Sequence, residues 1–200
     1  MRRLNLTLLF PLLLFIGLVG YFLPWVLTPA SSLSLGAYDL AEWSSIHPVV
    51  RLTIPFLWTA VALRIPLAVL GIFIAAYIHK TFYSKSIAII CLLIVAISLF
   101  PPLEFFTTYR DDPNYRQQFL LALSTVIVGI LAIIWQLKQF KNTLFIALSI
   151  LGVMSSMIGL YQAQNLMHDF HLPISVGSGG LITSIALVAM GYLYITKQSS

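Results

Sequence analysis

Six long apolar stretches separated by polar connectors organise this chain from end to end. They run over about 4–26, 53–78, 86–103, 119–137, 144–161 and 180–195. A hydrocarbon core about 30 Å thick takes about 20 helical residues to cross, and each stretch meets or approaches that length. The third, closed by Pro101 and Pro102, is the shortest. The pattern predicts an all-α polytopic membrane protein, with one transmembrane domain over residues 1–200 folded as a six-helix bundle with ordered outer loops. The first stretch exceeds the roughly 7–15 apolar residues of a signal-peptide core, so it reads as a retained anchor.

The connectors alternate in character, which supports the count independently of hydropathy. Thr81 to Lys85 and Lys138 to Asn142 are short and basic, whereas 28–52, 104–118 and 162–179 are longer and carry turn residues. Placing the short side in the cytoplasm puts Arg2, Arg3, Lys80, Lys85, Lys138, Lys141 and Lys197 inside, and all six acidic residues outside. Juxtamembrane Lys and Arg resist translocation. The expected location is the cell membrane with both termini cytoplasmic.

Composition agrees. The chain of 200 residues is 60% hydrophobic and 8% charged, with a mean hydropathy of +0.96, where a soluble domain carries about 25% charged residues. The net charge of +5 does not point to nucleic acid, because the basic residues stand singly or in pairs at the ends of apolar runs and form no basic face. Cys91 is the only cysteine and lies inside an apolar run, which excludes an intrachain disulfide, a CxxC centre and a thiolate zinc site. Gly152, Ser156 and Gly159 in the fifth stretch, and Gly180, Ser184 and Gly191 in the sixth, form small-residue stripes that let helix backbones approach in lipid.

Arg64 is the most informative residue, because it interrupts the long second stretch. Helical rise places it about 24 Å outward from Lys80, within about 6 Å of the outer hydrocarbon edge. An arginine there must snorkel to lipid phosphates, pair with an acid such as Glu104, or receive an anionic ligand. The first outer connector predicts a short amphipathic helix from Tyr38 to Ser45, with Trp25, Trp43 and Trp58 at the aromatic belt. Arg64, Glu104, Trp43 and Tyr38 are therefore the ligand- or lipid-binding candidates, and bound lipid is the expected ligand class.

His47, His168 and His171 lie in the outer connectors and are the residues that would hold a metal or haem. No metal is expected, since the pair at i, i+3 shares a face only in a helix and Pro173 follows at once. The segment Asp-Pro-Asn at 112–114 reads as a turn with Arg110 and Arg116 pairing locally, and Ser178 as a cap of the sixth stretch. No HExxH, Walker or paired-carboxylate pattern lies within any of the six stretches. The sequence favours a non-catalytic integral membrane subunit that packs with or stabilises a larger membrane complex, with the bilayer and other membrane subunits as partners. The alternative is a small-molecule-binding transporter component with its ligand near the outer leaflet. In size, span count and inward termini the chain is similar to the vitamin-binding S-components of energy-coupling-factor transporters, although their alanine-rich docking pattern is not evident in its first span.

Overall fold

The computed structural model describes residues 6–28, 33–77, 82–134, 138–171 and 173–196. Arg2, Arg3, Lys80 and Lys197, read above as inner residues, lie outside the described residues. The fold is helical: about 80% of the described residues lie in eight helices. These are α1 (Leu6–Phe22), α2 (Ala37–Ile46), α3 (Pro48–Leu52), α4 (Trp58–Tyr77), α5 (Phe82–Leu99), α6 (Pro113–Ile134), α7 (Lys138–Asp169) and α8 (Gly179–Thr196). Each apolar stretch has become one long helix, and α2 and α3 occupy the first outer connector. Three helices are long and apolar enough to cross a membrane: α4, α6 and the Thr143–Asp169 part of α7. They mark the chain as a membrane protein. The apolar described parts of α1, α5 and α8 are shorter, at Leu9–Phe22, Lys85–Leu99 and Gly179–Leu193.

The central helix is α4. Its apolar window is 89% buried, against 33% for α6 and α7, and a helix that is apolar all round belongs inside other helices. One core layer gathers Phe10, Val69, Phe73, Phe145, Leu187 and Met190 from α1, α4, α7 and α8. A second gathers Tyr21, Trp25, Leu40, Leu63, Ala163 and Met167 toward the end where the longer connectors lie. The small-residue stripe of α7 faces inward: a Cβ on Gly152 would press on Leu187 and Val69, and one on Gly159 on Leu63. This is an intramolecular helix seam.

The helix boundaries differ from the hydropathy boundaries for local reasons. α4 begins at Trp58 because Pro55 and Leu57 precede it, and Leu57 has φ +56°, which no helix interior accepts. α6 begins at Pro113, several residues before the apolar run. Asp112 caps it, accepting from the Asn114 N–H at 2.9 Å and the Tyr115 N–H at 3.3 Å, and Pro113 stands at the first helical position where its missing N–H costs nothing. The expected Asp-Pro-Asn turn is therefore a helix start, and Asp112 pairs with Arg51 across the connectors rather than with Arg110 or Arg116. α7 continues to Asp169 and absorbs about half of what reads as the third outer connector.

A small sheet was not legible in the sequence. After α1, Pro24 turns the chain into β1 (Val26–Thr28), which pairs antiparallel with β2 (Leu33–Leu35) and β3 (Ser175–Val176) in the order β2-β1-β3. The Gly177 N–H donates to Trp25 O and the Gly179 N–H to Pro24 O, both at 2.9 Å. These glycines allow backbones to touch: a Cβ on Gly177 would strike the Pro24 carbonyl, and one on Gly179 would sit 2.5 Å from Leu23 O. Trp25 is consequently not a belt residue. It is fully buried, with Nε1 donating to Gly20 O at 3.1 Å.

Candidate functional site

The three longer connectors meet at one end of the bundle, and their polar residues interlock there. The expected amphipathic helix forms as α2, and its inner face (Ala37, Leu40, Ala41, Ser44, Ser45) is buried on the bundle. Gly36 precedes it, with its N–H donating to Asp39 Oδ2 at 3.3 Å. This placement brings Glu42 over α4. Arg64 Nη2 donates to Glu42 Oε1 at 2.5 Å, Arg64 Nη1 donates to Asn114 Oδ1 at 3.0 Å, and Gln118 Nε2 donates to the same Glu42 oxygen at 3.2 Å. Four side chains from α2, α4 and α6 thus form one network.

Burial within the network is uneven. The Arg64 side chain is 2% exposed and that of Glu42 is 42% exposed, while Asn114 and Gln118 are buried. The guanidinium is dry and depends on its partners, because a buried charge is tolerated only when paired and hydrogen-bonded. The carboxylate keeps one side toward the surface. Arg64 therefore meets neither Glu104 nor a lipid phosphate. Glu104 lies in a short 3-10 turn, Leu103–Phe106, where its backbone carbonyl accepts from Thr107, Thr108 and Tyr109.

Two further ties hold the cap. Arg51 Nε donates to Ser45 O at 2.8 Å and its Nη2 to Asp112 Oδ2 at 3.2 Å, joining α3 to α2 and to the start of α6. Thr59 Oγ1 donates to Gln162 Oε1 at 2.9 Å, joining α4 to α7. Tyr38 stands one turn before Glu42 and is half-buried. Burial first, and then the Glu42 carboxylate, push its phenol above the ordinary tyrosine value, with Arg64 opposing. Trp43 packs against His47 and Phe170, with centroids 5.7 and 6.0 Å away.

The histidines have local roles. His47 is a cap of α3, its Nδ1 accepting from the Val49 N–H at 3.2 Å, and its ring meets Phe170 edge-on at 4.9 Å. His168 lies in the last turn of α7, and His171, at φ +54°, follows the helix end, its N–H donating to His168 O at 2.9 Å. Among the described residues no group of three His, Cys, Asp or Glu side chains is arranged to hold a metal ion.

Of the four candidates, Arg64 and Tyr38 fall in or beside one network, Trp43 lies in the aromatic cluster next to it, and Glu104 lies apart. Glu42, Asn114 and Gln118 were missed. The signal was present in Asn114 and Gln118, four residues apart and so on one helix face, but hidden by starting the fourth helix at 119. Comparison with protein-family models, characterised proteins and solved structures gives no match to this chain.

Proposed function

We propose that this chain is a non-catalytic integral membrane subunit that crosses the cell membrane six times, with both termini cytoplasmic, and packs with other membrane proteins. The observation that carries the reading is the in-chain neutralisation of Arg64. A charge within a span is by default a functional group, and here its donors are directed to Glu42 and Asn114, which fasten the α2 cap. The polar groups at this end serve architecture, and no nucleophile and base are paired among the described residues.

Two further features support the reading. The longer connectors converge at one end, as six alternating spans require, and the acids of all three lie there opposite the short basic connectors, in keeping with the positive-inside rule. Two grooves of about 420 and 590 Å³ open along α7 and α8. Ile150, Met154 and Val188 line the first and Met157 and Leu181 the second, all of them exposed. Exposed apolar side chains, with flexible methionines among them, suit a second helix.

Purification from native membrane in mild detergent, followed by mass spectrometry of partners, tests the proposal. A stoichiometric membrane-protein partner, lost when the exposed Met154 and Met157 are both replaced by Ala, is the expected result. A monodisperse single chain without partners would overturn it.

A further inference from the structure

We propose that the pocket between α3, the start of α4 and the end of α7 binds an organic ammonium group, and that Asp169 and Trp58 are its recognition residues. The pocket has a volume of about 410 Å³, and Thr59, Gln162, Asn165, Asp169, Trp58 and Ile54 line it. It is separate from the Arg64 network, and it holds whether or not the subunit reading does.

The first argument is charge. Asp169 is the one ionisable group lining the pocket; it is exposed, and no other side chain of the described residues pairs with it. It is also the last residue of a 32-residue helix, where the macrodipole is negative and a carboxylate is disfavoured. Three of the other acids are placed where they are satisfied. Asp39 lies in the first turn of α2, Asp112 caps α6, and Glu42 receives Arg64. At Asp169 the side chain and the helix end direct two negative fields at one place, and a cation answers both.

The second argument is the shape and polarity of the walls. A bare metal ion wants several oxygen ligands, and this pocket has one carboxylate beside an indole and two amides. An ammonium carried on carbon fits that set, because an indole face attracts such a cation while excluding water. Thr59 and Gln162 are already bonded to each other, which fixes that wall. The rim is apolar and open: Ile54 is 91% exposed, Val49 50% and Trp58 40%. An amphiphile can lay its hydrocarbon along that rim with its ammonium inside.

The pocket stands where the longer connectors gather and α4 begins, so both a lipid headgroup and a small soluble amine can reach it. Two probes separate these sources on the full chain in detergent. Tetramethylammonium is titrated by calorimetry, and lipids retained through purification are identified by mass spectrometry. Asp169→Asn is expected to weaken tetramethylammonium binding at least tenfold and to abolish selective retention of ammonium-headgroup lipids. Trp58→Leu is expected to weaken binding about 2- to 30-fold, and Trp58→Phe less. Glu104→Gln, an acid outside the pocket, leaves both readouts unchanged. Tetramethylammonium binding without lipid retention assigns a soluble amine, and retention assigns a headgroup. Absence of both in the native chain, or equal values in the native chain and Asp169→Asn, would overturn the assignment. Should Asp169→Asn fail to fold, the ratio between Trp58→Phe and Trp58→Leu decides, and equality of the two overturns it.

Discussion

Removing either end of the Arg64–Glu42 pair deletes the same contact, yet the two deletions should differ in cost. Glu42→Ala leaves the guanidinium 2% exposed in place, with Asn114 as its remaining partner. It forfeits one charge-assisted hydrogen bond, worth about 1.5–3 kcal/mol, and the Gln118 bond, worth about 0.5–1.5 kcal/mol. A loss of about 2–4.5 kcal/mol follows. Arg64→Leu removes the buried charge itself and leaves Glu42, 42% exposed, to be solvated, but it takes the donor from the buried Asn114 Oδ1, so its cost is about 1–3 kcal/mol. In a chain of this size about 1 kcal/mol moves the melting temperature by about 2–4 °C. Thermal unfolding in one detergent should lower the midpoint by about 4–18 °C for Glu42→Ala and by less, about 2–12 °C, for Arg64→Leu. The double variant should lie nearer Arg64→Leu, since no uncompensated charge remains inside. Hydrogen exchange should rise over 37–46 in all three, because α2 loses its tie. Equal losses in the two single variants, or a larger one in Arg64→Leu, would refute the claim that the cost comes from the stranded guanidinium.

Other outcomes follow from the same structure. Gly177→Ala should destabilise the fold by about 1–3 kcal/mol, because its Cβ meets the Pro24 carbonyl; Gly152→Ala should cost less, since its Cβ meets the movable Leu187 side chain 2.8 Å away. Detergent melts of both variants check the order. The Tyr38 phenol is raised in the folded state, so its contribution is complete below the ordinary tyrosine value of about 10 and is lost as pH rises through the higher folded value. Melting curves taken across that range should fall more steeply for the native chain than for Tyr38→Phe. With Cys91 replaced, cysteines at Thr108 and Ser175 should react with an impermeant reagent from outside and those at Ser84 and Ser199 from inside; the opposite labelling would reverse the orientation.

Hydropathy made the long helices legible because each buries or exposes an apolar surface over its whole length, a signal that sums over many residues. It could not place their ends. The start of α6 depends on Asp112 capping and Pro113, both polar or neutral on a hydropathy scale. The start of α4 depends on a single left-handed residue, Leu57, whose apolar side chain gives no warning. Such boundary errors matter at the site. Beginning the fourth helix at 119 made Asn114 and Gln118 loop residues, and Glu104, the acid closest to the outer end of the third stretch, was the expected partner of Arg64. The acid that reaches Arg64 comes from α2, and only tertiary packing brings it there.

The same packing explains why the aromatic reading divided. Trp58 is 40% exposed, while Trp25, equally close to the end of an apolar stretch, is enclosed. The difference lies in partners remote in sequence. Gly177 and Gly179 offer no side chain, so the segment before α8 closes on Pro24 and Trp25 and pairs with β1. Tryptophan at an interface is favoured because its N–H can reach water; Trp25 satisfies that donor on Gly20 O instead, and the wet surroundings are no longer needed. A tryptophan next to a proline at the end of one helix, and a Gly-x-Gly at the start of another, together encode a brace between the first and last helices. Neither is informative alone, which is why a reading that follows the chain one segment at a time assigns Trp25 to the membrane surface.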